Sequence, residues 1–262
     1  MKNNDYDLYI PSADLILVGL GEDFNDYKRL ANSPEYAHGK EWLLEHDLQQ
    51  LLPAWTEFCS RKLEDIVTPA LEKLRELLKD KNYFVITTSV DSRVSGVEWK
   101  NGWFVSPCGN LGVMQCKDHA EHPMIPRDEG NHAYLNNRFE TLYAGKAMEA
   151  EEFYMGVCPE CHAPLQLNTV FAANYNESGY LPKWDLYKKW LQGTINKKVV
   201  LLELGVSLAY PSVIRWPFEK VAFYNQKSTL IRVNEKFPQP TAEISERCVS
   251  VEMNALEWIQ SL

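Results

Sequence analysis

The chain has no apolar run near the roughly 20 residues that a membrane-spanning helix needs. Even the apolar stretch Val199–Leu204 is short and carries Glu203. The opening, MKNNDYDLY, has neither the basic nor the apolar region of a signal peptide, so a cytoplasmic location is expected. A Lys/Arg cluster is missing too, and 27 basic against 36 acidic residues leave a net charge of −9. Duplex nucleic acid and anionic membranes bind through basic surfaces, so neither is expected as a partner. No internal repeat, low-complexity tract or linker divides the chain. Cysteine is sparse, six in 262 residues, and in a cytoplasmic chain these thiols are not expected to form a disulfide framework. They need another reason.

What is present is a series of apolar strands that end in small or polar residues. Residues 199–211, VVLLELGVSLAYP, read as a strand buried on both faces, with Gly205 and Ser207 at its carboxyl end and Pro211 and Pro217 around the entry to a helix. In open α/β sheets that end holds the ligand, and small residues let backbone amides approach a phosphate or ribose. A tight turn without a ligand would use the same residues. DLILVGLG (14–21) has the form of a first phosphate loop, with Gly19 and Gly21, and EDFNDYKRL after it could open a helix. Glu22 and Asp23 argue against a diphosphate there, because they place negative charge at the helix N-terminus; they could also cap that helix themselves. YFVITTSV (83–90) is a second strand ending at Ser89 and Asp91, and WFVSP (103–107) a third running into Cys108. STLIRV (228–233) leads to Asn234, CVSV (248–251) is the last strand, and residues 254–262 form a closing helix.

Strands alternating with helices predict an α/β fold, a doubly wound parallel Rossmann-like sheet with a small helical and zinc-knuckle module. Residues 1–27, 81–115 and 195–262 are expected to build the Rossmann-like domain. Residues 28–80, where Trp42, Leu43, Trp55, Phe58, Leu71 and Leu74 recur at helical spacing, form a helical insertion, its aromatic stripe read as core. Residues 116–194 form the metal-binding module. There, Cys116-Lys-Asp-His119 and Cys158-Pro-Glu-Cys161 are two pairs with two intervening residues each, the spacing from which tight turns converge on tetrahedral zinc. His122 competes with His119 for the fourth position, and free buried thiols are the alternative. Four protein ligands would make the site structural, since no coordination position stays open.

Taken in order, these strand ends resemble the sirtuin family. GLG at 19–21 looks like its GAG loop, TTSVD at 87–91 like TQNID, CGN at 108–110 like the HG that carries the catalytic base, GVS at 205–207 like GTS, and VN at 233–234 like IN. In particular the chain is similar to the bacterial class M (macrodomain-linked) and related divergent sirtuins. Their TQGDYGLFQC is matched by SPCGNLGVMQC (106–116), their CPVCGGPM by CPECHAPL (158–165), and their LELGVGYNTPGIIKYPF by LELGVSLAYPSVIRWPF (202–218). The resemblance implies NAD, cleaved between nicotinamide and ribose, with ADP-ribose or its acyl product passed to an acyl-lysine or a protein acceptor. It also implies that Gly19 and Gly21 face the phosphates, Ser89 the nicotinamide ribose and Asp91 the carboxamide, while Gly205, Ser207 and Asn234 hold the diphosphate and adenosine half.

The departures from the family fall on reactive positions. Cys108 stands where ordinary sirtuins place His and class M members Gln, and a thiol at its usual pKa is a poor general base for a ribose hydroxyl. Ser89 replaces the Asn of TQNID. Val170, Ala172 and Ala173 replace a cation and two carboxylates of NLRxDDxFV. Two readings follow. One is an NAD-dependent transferase, an ADP-ribosyltransferase or a deacylase without the usual His, using Asp91, Cys108 and Ser89. The other is a catalytically inactive module that binds NAD or ADP-ribose or docks a protein.

Overall fold

The computed structural model describes residues 6–262, with side chains from Tyr9 onward. After helix α1 (Tyr6–Ser12), strand β1 (Leu15–Leu20) enters the centre of the molecule, and helices α2 (Pro34–Glu45), α3 (Leu52–Ser60) and α4 (Val67–Leu78) lead to β2 (Tyr83–Thr87). The short α5 (Ser92–Ser95), β3 (Phe104–Val105), β4 (Gly109–Cys116), β5 (Ile125–Pro126), α6 (Glu129–Tyr143) and β6 (Leu165–Thr169) follow. The chain then returns through α7 (Leu181–Gln192), β7 (Val199–Leu204), α8 (Arg215–Tyr224), β8 (Thr229–Val233), β9 (Cys248–Val251) and α9 (Ala255–Ser261).

Six of these strands form one sheet in the order β3-β2-β1-β7-β8-β9, and every neighbouring pair is parallel. All six residues of β1 and all six of β7 are buried, as near-continuous apolar runs covered on both faces must be. Glu203 is the exception within β7. It is fully buried, and the Arg232 guanidinium of β8 donates to its carboxylate at 2.9 Å, so the charge is paired inside the sheet. One face of the sheet is covered by α4 and α9, the other by α7 and α8. Strand order reverses between β1 and β7, which opens a crevice at their carboxyl ends.

The second layer is a three-stranded antiparallel sheet, β5-β4-β6, whose Leu111, Met114 and Leu167 share a core with Leu43, Trp55 and Phe58 of α2 and α3 and with Leu135 and Phe139 of α6. The helical insertion and the metal-binding segment therefore pack as one body. Val67–Leu78 and Leu181–Gln192 lie instead on the parallel sheet, because their apolar faces complete its two covering layers. Among the described residues, no helix is long and apolar enough to cross a membrane.

Two local expectations change. Instead of a helix, EDFNDYKRL forms a single 3₁₀ turn over Glu22–Asn25, ended by Asp26 in the left-handed region (φ 57°). Strand β2 stops at Thr87 rather than Val90. There the Thr87 hydroxyl donates to the Leu20 carbonyl at 3.0 Å and accepts the Ser89 amide at 2.9 Å, which turns the chain out of the sheet.

Candidate functional site at the sheet switch point

The crevice begins with two glycine turns laid backbone against backbone. The Gly21 amide donates to the Leu204 carbonyl at 2.8 Å, and a Cβ on Gly21 would stand 2.2 Å from the Gly205 carbonyl oxygen. Gly205 has φ 63°, and a side chain there would meet Asp23 at 2.4 Å. Both glycines thus let the two loops approach each other. Gly19 does something else. A Cβ on it would lie 2.5 Å from Ile214 and 3.0 Å from Phe218, so it is small to seat α8 against the sheet, and the expectation that it faces a phosphate is corrected.

The two acids after the loop part ways. Asp23 is buried, accepts the Ala255 amide at the start of α9 at 3.1 Å and pairs with Lys28 at 2.7 Å, turned from the crevice. Glu22 stays. Its Oε2 accepts the Ser207 amide at 2.8 Å, while its Oε1 is buried without a hydrogen-bond partner among the described residues. The amide of the GVS turn therefore already holds an anionic oxygen, supplied by the chain itself. Ser207 also accepts the Ala209 amide on its hydroxyl at 3.0 Å, which shapes the turn.

Beside this turn lies a cavity of about 420 Å³ lined by Glu22, Asn25, Glu57, Asp91, Ser207 and Tyr210, among others. Asp91 reaches it from the N-cap of α5, but both carboxylate oxygens are occupied. Arg93 donates from Nε at 3.0 Å and from Nη2 at 2.7 Å, and its amide bonds the same carboxylate at 2.8 Å. Burial pushes the Asp91 carboxyl upward and the Arg93 guanidinium opposes it. Ser89 is buried, its hydroxyl donating to Asn25 Oδ1 at 2.7 Å, and Asn25 also receives the Val90 amide at 3.3 Å. Asn234 is buried as well; it donates to the Val206 carbonyl at 2.7 Å and accepts the amides of Lys236 and Phe237. Ser89 and Asn234 brace the two halves of the crevice rather than presenting free groups to it.

Cys108 lies outside this cavity's lining. It is buried in the turn between β3 and β4, and burial together with the Glu22 charge pushes its thiol up to about 12. A thiol held up in this way is a poor base for a ribose hydroxyl at neutral pH. Among the cavity residues that escaped the sequence reading, Glu57 and Asn25 are polar. Glu57 is the charged position between Trp55 and Phe58 on α3, a polar break in an apolar stripe, and Asn25 follows the glycine loop without a motif of its own.

At the far end of β4, Cys116, Cys158, Cys161 and His122 have ligand atoms all within 4.8 Å of one another. The Cys116 and Cys161 sulfurs are 3.5 Å apart, and Cys158 Sγ is 3.4 Å from His122 Nδ1. Tetrahedral zinc with Zn–S of ~2.3 Å and Zn–N of ~2.0 Å sets such edges at roughly 3.5–3.8 Å, so the donor set fits zinc. The CPEC turn is built by the Cys158 carbonyl accepting the His162 amide at 2.8 Å, with His162 at φ 62°. His119 is corrected out of the set. It is exposed, stacks on His122 at 4.7 Å between ring centroids and bonds Glu121, because the segment from Cys116 turns only far enough for the later histidine to face the sulfurs.

No family model matches the chain. It is 21% identical to a protein ADP-ribosyltransferase of Staphylococcus aureus over 178 residues, 67% of this chain and 54% of that protein. It is 24% identical to a probable bifunctional ADP-ribose hydrolase/ADP-ribosyltransferase of Fusarium oxysporum over 175 residues, 63% of this chain and 28% of the relative. The chain thus spans about half or less of the length of these relatives. Among solved structures, a Sir2–p53 peptide–NAD+ complex superposes with a TM-score of 0.58, and Sir2 bound to acetylated peptide with 0.57. Each of these is 14% identical and covers 100% of this chain and 97% of the other. With its parallel sheet and its crevice at the switch point, the chain has the fold of these sirtuin structures.

Proposed function

We propose that the chain is an NAD-dependent ADP-ribosyltransferase of sirtuin type, acting on a protein acceptor and stabilised by one structural zinc on Cys116, His122, Cys158 and Cys161. The observation that carries the NAD reading is the Ser207 amide, which binds an anionic oxygen at the sheet switch point. A diphosphate oxygen takes that place once Glu22 swings aside, and release is eased because Glu22 Oε1 has no partner where it is now. Gly21, Gly205 and Ser207 then face the diphosphate, with the nicotinamide end directed toward Asp91 and Asn25. Deacylation by the usual histidine route is not part of the proposal, since a buried thiol, Cys108, stands where that histidine would be. The two relatives, both ADP-ribosyltransferases by name, support the transferase class.

A second reading, an NAD- or ADP-ribose-binding module without turnover, is favoured by one observation: Arg93 occupies both oxygens of Asp91, the acid nearest the expected chemistry. Incubation with NAD separates the two. A transferase releases nicotinamide and labels an acceptor; a binding module titrates with NAD or ADP-ribose and releases none. Neither release nor binding would overturn both.

Glu22 supplies a sharper test of the same site. Two like charges ~4 Å apart repel by ~1 kcal/mol in water and by more where water is excluded. Glu22→Ala removes that repulsion and vacates the Ser207 amide, so NAD is expected to bind about ten-fold more tightly, equivalent to ~1.4 kcal/mol. Calorimetric titration of wild type and variant measures it, and equal or weaker binding by the variant would place the diphosphate elsewhere.

A further inference from the structure

A second cavity, of about 300 Å³, lies across Glu57 from the first, between α3, α6 and the turn after β2. Its charge is unbalanced. Arg61 and Glu57 pair at 2.9 Å, and Glu57 is further held by the Ser92 amide at 2.7 Å and hydroxyl at 2.6 Å, so this pair is saturated. Arg127 is not paired. Its Nε donates to Asn131 Oδ1 at 3.1 Å and its Nη1 to the Leu111 carbonyl at 3.2 Å, and no carboxylate lies within ion-pair distance among the described residues. Two neutral partners fix the plane of the guanidinium and leave Nη2 without a hydrogen bond among the described residues. Desolvation lowers Arg127 to about 10, still charged at neutral pH, and burial with the nearby Arg127 charge holds His132 neutral. The cavity therefore carries one net positive charge.

Partly desolvated guanidinium without a counter-ion is costly, and an anionic ligand relieves that cost. A guanidinium held in a fixed plane suits a planar carboxylate. The saturated Glu57 repels a second negative charge, which disfavours a phosphate dianion. Ala54, Phe58, Leu111 and Phe139 supply the apolar part of the wall. We propose that this cavity is a binding site for a small monocarboxylate with an apolar or aromatic body, its carboxylate on Arg127 and its body against Phe58 and Phe139. The site is independent of the NAD reading, since none of its observations uses the Ser207 turn.

Benzoate is the probe, with benzamide as its neutral isostere and inorganic phosphate as the competing anion. Calorimetric titration of the full chain is expected to show saturable benzoate binding, ~ten-fold or more tighter than benzamide, in line with a charge-assisted bond to Arg127. Arg127→Gln is expected to abolish that preference. Because Arg127 also ties β4 to α6, a second variant, Asn136→Trp at the exposed rim, fills the mouth without touching those bonds and is expected to block benzoate. Equal binding of benzoate and benzamide, phosphate binding in place of benzoate, no benzoate binding, or benzoate binding unchanged in Asn136→Trp would each overturn the proposal. NAD titration of Asn136→Trp stays at the wild-type value whichever way the benzoate result falls, which keeps failure of this site distinct from failure of the first.

Discussion

Cys158→Ser is expected to reduce bound zinc from near one equivalent to near none, and to lower the melting temperature of the chain markedly. The reasoning starts from the fold of the module. The long excursion between the end of β4 at Cys116 and the start of β6 at Leu165 is closed at its base by the cysteine cluster. Structural zinc sites of this donor type contribute roughly 10–16 kcal/mol of apparent binding free energy at pH 7, and that energy is folding energy for the segments it joins. Loss of one thiolate leaves three donors and an open position, so metal retention collapses. The effect spreads because Leu135, Phe139 and Phe153 share a core with Trp55 and Phe58, and α3 also carries Glu57 into both cavities. Chelation of the wild-type protein should reproduce the variant. His122→Ala should follow Cys158→Ser, whereas His119→Ala should keep its zinc, as an exposed ring outside the donor set would. Elemental analysis with thermal denaturation reads all four, and a metal-free preparation that melts like the zinc-loaded one would contradict the assignment.

The sheet was the most legible part of the chain, for a physical reason. A strand covered on both faces has to be apolar along its whole length, so VVLLEL and LILVGL announce themselves, and their small carboxyl-terminal residues mark the crevice. Side-chain direction was not legible. Spacing put His119 and His122 in competition without saying which ring faces the sulfurs, and only the turn after Cys116 decides it. Gly19, Gly21 and Gly205 look alike in a motif, yet one seats a helix and two let backbones meet. Cys108 matched a catalytic position by alignment with the family, while its burial depends on the crossing of β4 and β6, residues distant in sequence. Glu22 was visible as a charge conflicting with a phosphate loop; its partner, the Ser207 amide, follows the neighbouring strand β7 but lies 185 residues on in the sequence, and has no local signature. The boundary between insertion and sheet also shifted, because α4 shows the same apolar period as α3 and only its packing against α9 tells them apart.

Gly21→Ala is expected to destabilise the protein by at least ~3 kcal/mol and to abolish NAD binding together with any nicotinamide release. Overpacking a core usually costs ~1–3 kcal/mol because side chains can move aside. Here nothing can. The added Cβ would stand 2.2 Å from the Gly205 carbonyl oxygen and 2.3 Å from Val206 Cα, both backbone, so β1 and β7 must separate at their carboxyl ends. Separation strains the Gly21 amide bond to Leu204 and moves the Ser207 amide from the mouth of the crevice, which links the stability loss to the binding loss. At 2–4 °C per kcal/mol for a chain near this size, a drop of roughly 6–12 °C or more in melting temperature follows. Gly130→Ala is the matched control. Its Cβ would meet only Asp128 Oδ1, at 3.4 Å, on an exposed position of α6, so this variant should melt at or slightly above the wild-type temperature through better helix propensity. If Gly21→Ala melts with Gly130→Ala, the two glycine turns do not lie against each other, and the crevice loses the contact that brings its anion-binding amide to the end of the first strand.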